Sequence, residues 1–334
     1  MSDNRVIGFM TNTLIPRYQK ARSGCVLFHL EKWAAVRLSG PDAREFLQRM
    51  STQDLRNLSV GQGLQSLLLK GDGRIVADCA VLCEATDTFL LLAPEACRQP
   101  LLEQLDRFHF SENFSTSDLS SESYPGMLAG PRSAEYASVM AKIFQETNEQ
   151  FSAAEVEFAP HSPRLVFRVP AAAFQTYSSR LYTALEDSGG VVGGEDLFAC
   201  LRVEEGIPLF GEDLDEKTIP LEAGLKPAIS FTKGCFPGQE IVARINNLGH
   251  PANVLVGLRL PETVESLTGR DLISEDKVIG RITSAAFSPA LGGMLGLGFV
   301  KWSQREVGTV LKIPDIPETS AVVVEVPLAG LATS

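Results

Sequence analysis

Lys233-Gly234-Cys235-Phe236-Pro237-Gly238-Gln239-Glu240 places a thiol two residues after an ammonium and five before a carboxylate. Two glycines and a proline impose a tight turn there, and Ile241 to Ile245 reads as a helix. A cation and a helix N-terminus both favour thiolate over thiol, so the spacing predicts a lowered Cys235 pKa and a nucleophilic sulfur. The competing reading is a small residue packed in a turn, the usual fate of a lone cysteine. Asp78 follows Gly73 on a strand with Ile75, Val76 and Val81. A carboxylate in such company faces a cleft, or else stands solvated at an edge. Arg202-Val203-Glu204-Glu205-Gly206-Ile207-Pro208 closes a helix and enters a long acidic connection through Asp213, Asp215 and Glu216. Long ordered loops tend to carry function, although either glutamate could simply be exposed at the helix end.

The other chemistry-bearing types are sparse. The cysteines at 25, 79, 83, 97 and 200 read as buried apolar residues, with no disulfide or zinc spacing. No metal site is expected. Gly61-Gln62-Gly63 lacks the third glycine of a nucleotide-binding turn.

The elements that must position these residues are mixed. Strands are expected at Val26 to Leu30, Ala34 to Ser39 and Thr88 to Ala93, with a hairpin of Leu64 to Leu69 and Arg74 to Leu82 around Gly71-Asp72-Gly73. Pro41 to Met50 reads as a helix. A second helix opens at Pro94, with Pro100 expected to interrupt it. Ser111 to Ser123 reads as an exposed connection, and a further helix spans Ala171 to Asp187. From Asn253 onward, short alternating runs (Val254 to Leu260, Val278 to Ala286, Leu295 to Trp302, Val310 to Ile313 and Ala321 to Val326) broken by Gly and Pro mark a small antiparallel barrel or sandwich. The predicted class is α+β: two mixed subdomains over 1–120 and 121–250, the second holding Cys235, and a β-barrel over 251–334.

At 334 residues, with 44% apolar and 21% charged residues, the chain is long enough to bury a large core. Its net charge of −11 argues against direct nucleic-acid binding. No apolar run reaches membrane-span length, and a cytoplasmic location is expected.

The octapeptide followed by Val242-Ala243-Arg244 resembles the signature of the YgfZ proteins, folate-binding relatives of the glycine-cleavage T-protein. A mitochondrial iron–sulfur assembly factor carries a similar signature. Leu38 to Ala43, Arg202 to Pro208 and Gly280 to Ser284 resemble segments shared with the wider aminomethyltransferase superfamily. The resemblance implies two mixed subdomains around a folate channel plus a barrel. It implies that Glu204 grips the donor edge of a pterin, that Asp78 matches the T-protein catalytic aspartate, and that Trp33 and Phe198 lie near the folate. It makes Lys233 and Cys235 a functional pair within a motif completed by Gly234, Phe236, Gly238, Gln239, Glu240 and Arg244. The T-proteins lack this cysteine motif, whereas the stretch from Gly211 to Gly224 looks more like T-protein.

Three functions follow as expectations. The first is a protein that binds tetrahydrofolate or a one-carbon derivative and supports iron–sulfur cluster assembly or repair, and indirectly tRNA modification, through Cys235. Its partners would be iron–sulfur enzymes or assembly proteins. The second is a tetrahydrofolate-dependent aminomethyltransferase or methyltransferase using Asp78. The third is a folate-binding scaffold without turnover.

Overall fold

The computed structural model describes residues 3–158, 163–262, 266–314 and 319–328. In chain order the elements are α1 (Asp3–Ser23), β1 (Val26–His29), β2 (Trp33–Ser39), α2 (Ala43–Met50), β3 (Gly63–Leu69), β4 (Ile75–Ala85), β5 (Thr88–Pro94), α3 (Arg98–Arg107), β6 (Ser115–Asp118), β7 (Ser123–Ala129), α4 (Ser133–Glu146), β8 (Ser152–Glu157), β9 (Pro163–Pro170), α5 (Ala171–Asp187), β10 (Val191–Gly193), α6 (Glu195–Glu204) and α7 (Gln239–Leu248). Six strands follow: β11 (Asn253–Arg259), β12 (Asp271–Ser274), β13 (Lys277–Ser288), β14 (Gly293–Lys301), β15 (Val310–Lys312) and β16 (Ser320–Val324).

The chain forms two compact units, each discontinuous in sequence. One consists of Lys20–Gly193 and Pro227–Ile241, and the other of Met1–Gln19, Gly194–Lys226 and Val242–Ser334.

The first unit holds two five-stranded sheets. In the sheet ordered β3-β4-β5-β2-β6, the β3–β4 hairpin forms where Gly71-Asp72-Gly73 places it. Strand β4 is buried continuously from Ile75 to Cys83. Such a strand is covered on both faces, which explains its nearly unbroken apolar sequence. The edge strand β6, Ser115-Thr116-Ser117-Asp118, is exposed at every position. Its wholly polar sequence hides a real strand inside the segment expected to be an irregular connection. Charged and polar composition is also how sheet edges are kept from pairing further. The helix expected from Pro94 breaks earlier than Pro100: a 3-10 turn over Glu95–Cys97 precedes α3. Pro100 falls in the first turn of α3, where a missing N–H is tolerated.

The second sheet runs β10-β1-β7-β9-β8, with β1 and β10 parallel. Helices α4 and α5 cover it, burying Leu27, Leu128, Tyr136, Phe144, Phe167 and Leu181 in one core.

The other unit carries the barrel, closed in the order β11-β14-β13-β12-β15-β16 by pairing of β16 with β11. Helix α6 packs on β13 and β14, with Val203 against Leu295 and Leu297. The expected α+β class with a terminal antiparallel barrel is therefore present. Among the described residues no helix is long and apolar enough to cross a membrane, and no cluster of His, Cys, Asp and Glu could hold a metal ion.

Candidate functional site

Asp78 stands in the middle of the buried stretch of β4 and is 8% exposed, so it is not a solvated edge residue. Its neighbour across the ladder is Leu67, and the diagonal neighbour Gln65 lies two residues away on β3. The Gln65 Nε2 donates to both carboxylate oxygens, at 2.8 and 3.0 Å. Burial pushes the Asp78 carboxyl up to about 6, against the opposing pull of the Gln65 amide. A carboxyl near 6 can both take and return a proton close to neutrality.

The Cys235 loop is fastened at both ends, at one to the end of α2 and the residues after it and at the other to the turn of this hairpin. At its start, residues 227–233 are laced to residues 48–53. Ser230 N–H donates to Thr52 O at 2.9 Å, the Thr52 hydroxyl to Ala228 O at 2.7 Å, and the Gln53 amide to Pro227 O at 2.8 Å. Lys233 is 5% exposed, and its ammonium donates to the carbonyls of Gln48, Ser51 and Gln53. Two of these lie at the C-terminal end of α2, where carbonyls lack helical partners and the dipole favours a cation. Burial pushes the Lys233 ammonium down to about 8, with Asp54 opposing. An ammonium has three protons, and three carbonyls accept them. Lys233 thus anchors the loop.

At the far end, Gly238 packs backbone on backbone against the turn of the β3–β4 hairpin. A Cβ there would lie 2.6 Å from Lys70 O and 2.7 Å from Gly73 Cα, and both glycines have left-handed backbones, with φ of +78° and +80°. Only glycine meets both demands without strain. Phe236 is buried, and between the two fastenings Cys235 is exposed, whereas the other five cysteines are buried as expected. The sulfur precedes the first residue of α7 by four positions, so it stands before the helix mouth and not in its first turn. Gly234 and Glu240 are exposed, as is Arg244 on α7, and Gln239 is half-buried.

Glu204 belongs to the other unit, as the last residue of α6. It is 0% exposed. The Tyr18 hydroxyl donates to its Oε2 at 2.8 Å, and Ser288 Oγ and Ala290 N–H donate to its Oε1 at 2.5 and 3.3 Å. Tyr18 comes from α1, which the bidentate pair of Arg17 with Asp196 also ties to the start of α6. Two residues before Glu204, Arg202 forms a buried pair with Asp213 at 2.7 Å. The hydroxyls of Thr283 and Ser284 both donate to Asp213 Oδ1. Adjacent strand residues normally point to opposite faces; the register shift between Ile282 and Ser284 lets both reach one oxygen. This network fixes the acidic connection onto β13.

Residues 10–233 match the GCVT N-terminal domain, and residues 253–328 match the glycine cleavage T-protein C-terminal barrel domain. The chain belongs to the glycine cleavage T-protein family. It is similar to an aminomethyltransferase of Halothermothrix orenii, at 26% identity over 90% of this chain and 87% of the relative. It is similar to a putative chloroplast transferase of Arabidopsis thaliana, at 24% identity over 91% of this chain and 71% of that protein. The crystal structure of the glycine cleavage system aminomethyltransferase T from Bartonella henselae shares the fold, with a TM-score of 0.79 at 23% identity, covering 94% of this chain and 89% of that one.

Within this T-protein-family fold, Asp78 lies on the hairpin whose turn packs against Gly238 at the end of the Cys235 loop. Trp33 begins β2 in the same unit, half-buried opposite Pro94. Phe198 is half-buried on α6, in the unit of Glu204. Gln65, Tyr18 and Ser288 are the partners that sequence reasoning missed. A polar residue two places into the apolar strand β3 was the available signal for Gln65. Tyr18 and Ser288 lie 186 and 84 residues from Glu204, and no local pattern links them.

Proposed function

We propose that this T-protein relative binds tetrahydrofolate or a one-carbon derivative, and serves iron–sulfur cluster assembly or repair in the manner of the YgfZ proteins, with Cys235 as its acting group. Of six cysteines, only Cys235 is exposed, and this observation carries the reading: its loop is fastened at one end to the end of α2 and the residues after it, and at the other to the turn of the hairpin that bears Asp78. Exposure that serves no packing purpose, on a loop held this firmly, suits a group that meets a partner. The partners on this reading are iron–sulfur enzymes or assembly proteins, and tRNA is reached only through them.

The residues fit a folate by the chemistry of their donor sets. A pterin edge presents N–H donors, and Glu204 and Asp78 are buried carboxylates already served by neutral donors. Because Glu204 is fully enclosed, a ligand engages it only by displacing a donor such as Tyr18 or Ser288. When bound, tetrahydrofolate supplies a nitrogen that carries one-carbon units. Lys233 holds the loop that presents Cys235, and Asp78 holds or moves a proton.

A second reading is tetrahydrofolate-dependent aminomethyl transfer centred on Asp78, favoured by the buried carboxyl at about 6. Titration of reduced folate by calorimetry into wild type, Glu204→Gln, Asp78→Asn and Cys235→Ala, with rescue of a cluster-dependent enzyme in cells, separates the two. The Cys235 reading expects Cys235→Ala to keep folate affinity and lose rescue. Full rescue by that variant removes the reading. One-carbon turnover that dies in Asp78→Asn and survives Cys235→Ala establishes the second.

A further inference from the structure

Asp78 has a partner that neither the motif nor the family match assigns. Gln65 is 6% exposed, and its side-chain nitrogen is shared between the two oxygens of the carboxylate. A glutamine in this part of β3 has no packing reason to be polar, because the residues on either side of the strand are apolar or hydrogen-bonded elsewhere. Leu67, Leu68 and Leu69 are fully buried. The neighbouring Ser66 hydroxyl accepts from Gln53 N–H at 2.9 Å and faces Thr52 instead. The Gln65 side-chain nitrogen thus serves Asp78.

We propose that Gln65 is the positioning residue of Asp78: its amide nitrogen reaches both carboxylate oxygens, tethering the head of the side chain where it can take or return a proton. A nitrogen within 2.8 and 3.0 Å of the two oxygens tethers the carboxylate head and favours its ionised form. This rests on the reading of Asp78 as a group that handles a proton in one-carbon chemistry, and deepens it.

The electrostatics support the same assignment. Burial raises the carboxyl, and Gln65 is the side chain that opposes the rise. The titratable groups that sense Asp78 are Cys79 beside it on β4 and Cys97 in the turn before α3. Both are thiols held neutral by burial, Cys97 being pushed up to about 12. From β3 the polar group that faces it is Gln65. Burial is thus the larger influence on the charge state of Asp78, and the Gln65 amide is the side chain that opposes it.

The test follows the Asp78 carboxyl directly, by carbon NMR of the full chain labelled at aspartate side chains. The Asp78 signal is identified by its loss in Asp78→Asn. Wild type is expected to titrate near 6 at this position. Gln65→Leu, close in volume, is expected to move the midpoint up by about one unit or more, since a hydrogen bond to a charged group is lost. Gln65→Asn, which keeps an amide, is expected to restore part of the shift. Melting curves confirm that the variants are folded, and Gln65→Met serves if Gln65→Leu is not. The acid limb of folate-dependent turnover is expected to move with the midpoint. An unchanged midpoint in a folded Gln65→Leu or Gln65→Met protein overturns the positioning role. A shifted midpoint with full turnover in Asp78→Asn overturns the reading of Asp78 on which the role rests, and leaves the Gln65 contact standing.

Discussion

Asp78 carries a stability cost that its chemistry would explain. Its carboxyl is moved from the usual 3.8 to about 6, so the folded state favours the neutral acid. The stabilisation this gives is present below 3.8 and lost as pH rises through 6. Above that pH the folded chain holds a buried carboxylate with no cation beside it among the described residues. Asp78→Asn removes the charge and keeps an acceptor for Gln65. It is expected to be more stable than wild type at pH 8 by about 2 kcal/mol, with the difference closing towards pH 4. Urea unfolding at the two pH values reads this, and equal gains at both would mean that Asp78 is not the titrating group. Cys235 is the opposite case: exposed as it is, Cys235→Ala should change stability by no more than about 0.5 kcal/mol. The sulfur and the Asp78 carboxylate were both legible in the sequence because their types contrast with their neighbours. What Lys233 does was not legible. A lysine two residues from a cysteine suggests a thiolate partner, but its acceptors are backbone carbonyls, which leave no trace in a sequence.

Elements follow the same division between side-chain pattern and backbone need. The β3–β4 hairpin, α2, α5 and five of the six barrel strands were legible because apolar periodicity and turn residues agree there. Strand β6 has no apolar residue at all, and β12, Asp271-Leu272-Ile273-Ser274, is too short to show alternation. Helix α1 was missed because Pro16 and many polar residues mask its short buried stripe of Leu14, Tyr18 and Ala21. The element that matters most to the site is the loop from 227 to 238, and its stability is open to test. Lys233→Met leaves three carbonyls without their donor, two of them at the end of α2. We expect a loss of about 3 kcal/mol, with faster amide exchange over 48–53 and faster labelling of the Cys235 thiol. Gly238→Ala should loosen the other end by about 2 kcal/mol or more, because a Cβ at φ +78° would meet Lys70 O. If Lys233→Met labels at the wild-type rate, the ammonium does not hold the loop.

At the scale of the whole molecule, sequence order and compactness part company. The expected boundary at 250 isolates the barrel as residues 251–334, yet the unit containing the barrel also includes Gly194–Lys226 and the start of the chain. The reason is physical. Val203 on α6 packs on Leu295 and Leu297, and Arg202 reaches the Ser284 hydroxyl at 2.6 Å. A barrel cut at 251 would expose that apolar face and leave Ser284 without its cation. Exposed apolar surface of this kind promotes association, and each large side chain left uncovered forfeits about 1.5–3 kcal/mol. A fragment of residues 251–334 is therefore expected to be poorly soluble, to bind a hydrophobic dye and to melt broadly. A fragment of residues 194–334, which restores α6 and the Asp213 network, should melt cooperatively at a higher temperature. Arg202→Met in the longer fragment should undo much of that gain, since it strands the buried Asp213 carboxylate. Cooperative melting of 251–334 alone, at the temperature of the longer fragment, would show that the barrel stands without α6 and that the boundary at 250 is a true domain border.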